Sequence, residues 1–556
     1  MRLIIVGGVA GGATAAARAR RLCEDAEIIL FERGEYVSYA NCGLPYYIGR
    51  KIKERDELFV TTPERLERRY RIDVRTCQEV VHIDPEQKTV QVRNLETDEV
   101  VVEPYDRLIL APGARAMKPP IPGIDQGNIF HLKDVNDTDR VKAFVSGHSV
   151  ASALIVGGGF IGLETAENLA RLGIAVTVVE MLPQLLPQLD YDMAVHVHQH
   201  LREQKVKLIL GQAVKRFDHQ AGRITAVTDR DTDIHVDMVI VSAGIQPERE
   251  LAEGAGLTIG ETGGIYVDEH MNTSDGTIWA VGDAIETTDF VSGRKTRIPL
   301  AGPANRQGRA AADNAMGRKD ALGGLLGTSI VKTFDIVAAS TGMTEKCLKD
   351  EGLPYRTSFT HSLHHAGYYP DATMVSIKLL FAPDTGKILG AQVTGKNGVD
   401  KRIDVLAVAI YAGMTVYDLQ ELQLAYAPQF GSAKDAVNIA GYVAANMLKG
   451  DVQVRHWHEL EQMDSHDYLL LDVRSTMEVR KEGVIPGAQN IDIDELRDHL
   501  DELDKTKTII AYCTVSMRAY LACRILTQKG FRASILSGGW MTWLPIQQDR
   551  EAQQQP

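Results

Sequence analysis

Cys42 stands in the run Ser38-Tyr39-Ala40-Asn41-Cys42-Gly43-Leu44-Pro45-Tyr46, and its nearest cysteines in sequence, Cys23 and Cys77, form no Cys-x4-Cys pair with it. A thiol acts on another sulfur, or on a peroxide, through its thiolate. Cys42 comes ten residues after Glu32, which closes a strand–glycine turn–helix–strand unit. A single thiol so close to a dinucleotide unit points to a redox centre made of a flavin and one sulfur. Its substrates would be thiols, disulfides, persulfides or peroxides. A lone cysteine is ordinarily an inert, small apolar residue, and Cys23, Cys77, Cys347 and Cys523 are read that way. A second reactive thiol is expected at Cys513. There the strand-like Thr508-Ile509-Ile510-Ala511-Tyr512 runs into Cys513-Thr514-Val515-Ser516-Met517-Arg518. Backbone N–H groups in such a strand-to-helix turn form an anion nest, and Arg518 adds fixed positive charge.

The elements that position Cys42 are glycine loops. Gly7-Gly8-Val9-Ala10-Gly11-Gly12 follows Leu3-Ile4-Ile5-Val6, with Glu32 20 residues after Gly12. Gly157-Gly158-Gly159-Phe160-Ile161-Gly162 follows Ala153-Leu154-Ile155-Val156, with Glu180 18 residues after Gly162. Glycines let a pyrophosphate approach a helix N-terminus, and the later carboxylate accepts from ribose hydroxyls. Two such units predict transfer between two dinucleotides, FAD in the first and a pyridine nucleotide in the second. Glu180 would repel a 2′-phosphate, which favours NADH over NADPH. Thr277-Ile278-Trp279-Ala280-Val281-Gly282-Asp283 reads as a strand ending in a glycine and a carboxylate able to receive a ribityl hydroxyl. Leu108-Ile109-Leu110-Ala111-Pro112-Gly113 and Val239-Ile240-Val241-Ser242-Ala243-Gly244 read as chain crossings into and out of the second unit.

The chain has 556 residues, enough for several domains. It is 44% hydrophobic and 24% charged, with net charge −13, which gives no support for nucleic-acid or anionic-membrane binding. Six irregularly spaced cysteines suggest neither a disulfide framework nor a metal site, and fit a reducing compartment. No signal-peptide pattern and no apolar run long enough to span a bilayer stand out, so a cytoplasmic protein is expected. The expected fold class is α/β. Residues 1–112 and 244–320 form a FAD-binding domain around an NAD(H)-binding domain at 113–243. An α+β dimerisation domain follows at 321–446, with strands near 374–381 and 388–394 and helices near 400–412 and 432–448. A polar linker is expected at 447–458, a small α/β domain at 459–548, and a frayed polar tail from Gln547.

On these motifs, residues 1 to about 445 resemble the two-dinucleotide flavoprotein disulfide reductases, and the run around Cys42 resembles their single-cysteine branch, the coenzyme A disulfide reductases. The resemblance implies cofactor contacts from Gly7, Val9, Ala10, Gly11, Gly12, Glu32, Arg33, Asn41, Ala111, Gly113, Gly244, Gly282 and Asp283. At the second site it implies Gly157, Gly159, Phe160, Ile161, Gly162 and Glu180. It also implies coenzyme A contacts from Thr14, Arg18, Arg21, Ser38, Asn41, Asn305 and Lys434. Arg18 and Arg21, one helical turn apart, are placed to clamp a phosphate. The same branch implies a homodimer in which Tyr368 and Tyr426 act across the interface, as proton donors to the leaving thiolate.

Residues 459–546 resemble a rhodanese domain. The carriers of that resemblance are Leu471-Asp472-Val473-Arg474, Gly483-Val484-Ile485-Pro486-Gly487-Ala488, the Cys513–Arg518 loop and Ser537-Gly538-Gly539-Trp540. Arg518 follows Cys513 by five residues, one fewer than in cysteine phosphatases, a tighter loop suited to a sulfur-sized group. The whole chain is similar to the coenzyme A disulfide reductase–rhodanese fusions, including NADH-dependent persulfide reductases. The fusion implies NADH-driven reduction of coenzyme A persulfide, polysulfide or coenzyme A disulfide at Cys42, with sulfane sulfur delivered by Cys513. Two alternatives stand beside it: an NADH oxidase or peroxidase cycling Cys42 through sulfenic acid, and a sulfur-carrying redox sensor. The oxidase–peroxidase relatives carry a histidine in the first glycine loop, where this chain reads Val9-Ala10-Gly11-Gly12. A helix N-terminus near Gly43 is expected to lower the Cys42 pKa.

Overall fold

A computed structural model describes residues 1–220 and 222–554. Two compact units result: Met1–Pro183 with Val206–Gly327, and Gln184–Lys205 with the chain from Thr328 onward.

In the first unit Leu3, Ile4 and Ile5 have no exposed surface. A consecutive apolar run, rather than an alternating one, suits a parallel strand covered on both faces. Strand Arg2–Val6 accordingly lies between Glu27–Phe31 and Arg107–Leu110, all parallel, with Asp73–Arg75 and Ile278–Ala280 at the edges. The strand order turns about Arg2–Val6, so a crevice opens beyond its carboxyl end, where Gly7 lies. Helix Ala10–Leu22 packs through buried Ala15, Ala16 and Ala19 against helix Ala301–Ala315, whose Ala310, Ala311 and Ala312 are also buried.

The plan is repeated once. Strand Ser152–Val156 lies between Ala175–Glu180 and Met238–Val241, with Lys207–Leu210 and Ile129–His131 outside them. A three-stranded antiparallel sheet, Val214–Gln220, Arg223–Thr228 and Asp233–Val236, shares its core. The chain enters and leaves this region through a pair of antiparallel strands, Ala114–Ala116 and Ile245–Pro247.

The second unit holds a five-stranded antiparallel sheet in the order Ser329–Thr333, Ile336–Gly342, Ile388–Gly395, Met374–Phe381, Arg356–Leu363. Helices Val399–Tyr411 and Ala436–Leu448 pack on it. A parallel sheet follows in the order Gln453–Arg455, Arg532–Leu536, Thr508–Tyr512, Tyr468–Asp472, Gln489–Asn490.

Three local expectations change. Residues 447–458 are not a bare linker: Gln453–Arg455 is an edge strand paired with Arg532–Leu536, and its polarity reflects one unpaired, exposed side. Residues 555–556 of the expected frayed tail lie outside the described residues. As far as Gln554 the polar tail is not frayed, because helix Gly539–Gln554 carries Asp549, only 1% exposed. That carboxylate accepts from Tyr191 Oη at 2.8 Å and Arg202 Nη1 at 2.6 Å, and lies 3.1 Å from His198 Nδ1. Helix Tyr191–Glu203, inside the span expected as one nucleotide-binding domain, thus belongs to the second compact unit. Its Asp192 joins Asp190 and Glu345 around the fully buried Lys378 ammonium, at 2.9, 2.9 and 2.7 Å. The polar groups of this helix are buried against partners far away in sequence, which periodicity cannot register.

Candidate active site

Cys42 occupies the single-turn helix Asn41–Gly43, which leads into helix Leu44–Ile48 with Pro45 in its first turn, where a missing N–H costs nothing. Gly43 and Leu44 are buried while Cys42 remains exposed. Partial burial raises the thiol above its ordinary pKa, and the Glu164 and Asp283 carboxylates add to this. The direction runs against the lowering expected from the helix N-terminus, with burial the largest cause. A helix of only five residues contributes little field. Burial pushes Glu164 itself up to about 6, and its Oε1 accepts from Tyr46 Oη at 3.1 Å. Glu164 was not picked out from the sequence. Tyr46 lay within the Cys42 run, but nothing in the sequence pairs it with a residue 118 positions away.

Both glycine loops end in helices without side-chain caps. Helix Ala10–Leu22 starts after Val9 with no side-chain cap and no acidic residue in its first turn, so no side chain competes with an anion at its start. Val9 has φ −108°, extended backbone that needs no glycine, which explains valine at the second-glycine position. Gly7 does need glycine: its φ is +96°, and a Cβ would collide with the Ala111 carbonyl. Glu32 braces the loop by accepting from Gly8 N at 2.7 Å and Gly34 N at 2.8 Å, while Arg33 pairs with Glu248 at 3.0 Å. Asp283, in the turn Gly282–Ala284, has its carboxyl pushed up by burial and accepts no hydrogen bond among the described residues. A desolvated carboxylate in need of a donor fits a cofactor hydroxyl. Ala111 and Gly113 follow the neighbouring strand Arg107–Leu110, and Gly244 precedes Ile245–Pro247.

The second loop has the same plan. Gly159 begins helix Phe160–Arg171, and nothing lies within 4 Å of where its Cβ would stand, leaving a cradle over the helix start. Phe160 and Ile161 open the helix, and Gly162 packs against the Gly157 carbonyl. Glu180 is buried and accepts from Gly158 N at 2.7 Å and Leu182 N at 2.9 Å. The residues present fit two dinucleotides, each with its pyrophosphate at a helix start.

Of the residues expected at coenzyme A, Thr14 donates to Asn305 at 2.5 Å, and Ser38 and Asn41 flank the Cys42 turn. Arg18 is engaged by Asp313, at 2.9 and 2.7 Å, and Arg21 leans over the Tyr70 ring at 5.6 Å. A phosphate would compete with Asp313 for the first arginine, so the pair is not a free clamp. Lys434, in the other compact unit, is exposed. Tyr368 and Tyr426, also there, are exposed and share a hydrogen bond at 2.9 Å between their hydroxyls, while Tyr369 meets His365 edge-on.

In the parallel sheet, Cys513 ends strand Thr508–Tyr512 and is buried. Its loop turns through Ser516 at φ +69° into helix Met517–Gln528, and the Cys513 carbonyl accepts from Trp540 N at 2.9 Å. Arg518 is not an open positive charge, since Glu478 takes both arms of its guanidinium. Arg474 is structural: fully buried, it grips Asp472 at 2.7 Å, reaches the Gly483 carbonyl and lies 4.5 Å from the Trp540 ring centre. Glu478 was missed. Its place three residues after Ser475 marks a helix start, but not a partner 40 residues away.

Family models match the chain in three stretches: pyridine nucleotide-disulphide oxidoreductase at residues 1–308, the dimerisation domain of that family at 328–437, and a rhodanese-like domain at 457–545. The coenzyme A disulfide reductase of Staphylococcus haemolyticus is 35% identical over 447 residues, covering 80% of this chain and all of that protein. The crystal structure of reduced Bacillus anthracis CoADR-RHD is similar with a TM-score of 0.96 and 47% identity, covering 99% of this chain and 98% of that one. A NAD-dependent persulfide reductase from A. fulgidus gives a TM-score of 0.92 and 39% identity over 98% of this chain and all of that one.

Proposed function

The chain belongs to the pyridine nucleotide-disulphide oxidoreductase family, with a rhodanese-like domain appended, and from that premise we propose that it reduces persulfide sulfur at Cys42 with electrons from NADH. Its relatives make it an FAD- and NADH-dependent oxidoreductase of the coenzyme A disulfide and persulfide reductase kind. The observation that carries the proposal is an accessible, partnerless Cys42 in the compact unit that holds both uncapped dinucleotide loops.

FAD and NADH supply an electron pair, and the remaining steps belong to the side chains. Gly7–Gly12 with Glu32 and Asp283 hold the first dinucleotide, and Gly157–Gly162 with Glu180 the second. The Cys42 thiolate attacks the carbon-bound sulfur of R–S–SH, forming Cys42–S–S–R and releasing hydrosulfide. Two electrons then split that disulfide, R–S⁻ leaves, and the thiolate returns. In sum, one persulfide, one NADH and one proton give one thiol, one hydrogen sulfide and one NAD⁺. Coenzyme A disulfide gives two thiols by the same route. In the Tyr368–Tyr426 pair one hydroxyl donates to the other, so one proton stays free for a leaving thiolate. The hydrogen bond between them raises the Tyr368 pKa, holding the Tyr368 proton within the pair. These tyrosines act in a homodimer, reaching the partner subunit's thiol. Exposed Val408, Tyr411 and Phe430 in the same domain supply apolar surface for that contact. Thr14, Arg18, Arg21, Ser38, Asn41, Asn305 and Lys434 are the proposed coenzyme A contacts, with Arg18 moving between Asp313 and a phosphate. Cys513 collects sulfane sulfur from bulky and protein-borne donors. No helix among the described residues is long and apolar enough to cross a membrane.

Anaerobic sulfide release tests this reading. Cys42→Ser should abolish release from every donor, whereas Cys513→Ser should impair protein-borne and bulky donors and spare small persulfides. Unchanged release from all donors in Cys513→Ser would remove the relay, and unchanged release in Cys42→Ser would remove the mechanism.

A further inference from the structure

The Arg518 guanidinium beside Cys513 is already occupied. Nη1 donates to Glu478 Oε2 at 2.7 Å and Nη2 to Glu478 Oε1 at 2.6 Å, a two-point fork. Thr514, next to Cys513, bridges the pair: its Oγ1 lies 3.2 Å from Arg518 Nη2 and 3.3 Å from Glu478 Oε1. Glu478 is held from behind by Ser475, whose N and Oγ donate to Oε2 at 3.0 and 2.9 Å at the start of helix Thr476–Glu482. The sequence neighbours of the pair, Met477 and Met517, are exposed and uncharged.

We propose that Glu478 is a specificity-determining positioning residue: by closing both arms of Arg518 it sets the Cys513 loop to take sulfane sulfur from carbon-bound persulfides and to reject donors that present an oxyanion. This rests on the sulfurtransferase reading of residues 457–545. Thiosulfate is the simplest oxyanion donor, and its sulfonate oxygens call for a free guanidinium fork. Here they would meet a carboxylate instead, a repulsive element built against the wrong donor. A persulfide asks for no such fork. The transfer itself is redox-neutral. The Cys513 thiolate attacks the terminal sulfur of R–S–SH, a Cys513 S–S bond forms, the donor S–S bond breaks, and R–S⁻ leaves with the electron pair. The proton stays on the new persulfide.

Thiocyanate formation with cyanide as acceptor tests this in the full-length protein without NADH. Wild type is expected to use a simple alkyl persulfide far better than thiosulfate. Glu478→Gln should raise kcat/KM for thiosulfate about tenfold or more, the scale of a charge-assisted hydrogen bond set free, with the persulfide rate within about twofold. Ser475→Ala removes the hydroxyl behind Glu478 but keeps the ion pair, and should shift the donor ratio far less than Glu478→Gln. The inference is overturned if wild type prefers thiosulfate, if Glu478→Gln leaves the ratio unchanged, or if Ser475→Ala shifts it equally. No thiocyanate from either donor in wild type would instead refute the sulfurtransferase reading, and the inference with it.

Discussion

Sulfur chemistry needs a thiolate that a substrate can reach, and the two cysteines proposed to react differ in access. Cys42 is exposed and Cys513 is buried at the end of its strand. A small alkylating reagent should therefore label Cys42 several times faster than Cys513, as peptide mapping of the labelled protein would show. The Cys42 thiol lies above its ordinary pKa through burial, then through Glu164 and Asp283. Glu164→Gln removes one of those negative charges, so the pH midpoint of Cys42 alkylation should move down. A midpoint that stays put would show that Glu164 adds nothing to the effect of burial. The reading of Cys42 rests on a local signal, a motif fixed by its distance from a glycine loop. Glu164, Glu478 and the Asp313 partner of Arg18 carry no such signal, since each acquires its role through a tertiary contact with no sequence counterpart.

At the scale of elements, the strands and glycine loops of both dinucleotide units read directly from apolar runs and turn residues, because parallel buried strands and helix starts carry local signatures. Helix Tyr191–Glu203 and the C-terminal helix did not, because polar residues there are buried by pairing. Asp549→Ala would leave Arg202, His198 and Tyr191 without their shared acceptor, and a loss of about 3–5 kcal/mol in stability is expected, read as a lower Tm. Nearby, His361 lies between Ser376 Oγ at 2.7 Å and Thr542 Oγ1 at 2.9 Å, and burial pushes it down to about 3. His196 and His456 are pushed down to about 4, also by burial. A histidine whose folded pKa is depressed binds fewer protons folded than unfolded between that value and 6.5. Its stabilisation is present above 6.5 and lost as pH falls, by about 1.4 kcal/mol per pH unit for each such group. Thermal melts from pH 7 to 5 should show Tm falling, with a shallower slope in His361→Gln.

The whole molecule joins a reductase unit to a sulfur-carrying domain, and composition foretold neither; the glycine loops and the Cys513 run did. A chain of this family should sediment as a dimer. Tyr368→Phe and Tyr426→Phe together should slow thiolate release without dissociating it, visible as a lowered kcat with little change in KM. The most direct measurement is the anaerobic ratio of sulfide released to NADH consumed with a small alkyl persulfide, in wild type and in flavin-loaded Cys42→Ser. One sulfide per NADH in wild type, and none from Cys42→Ser, is the predicted result. NADH consumption that needs oxygen, or sulfide release that survives in Cys42→Ser, would contradict it.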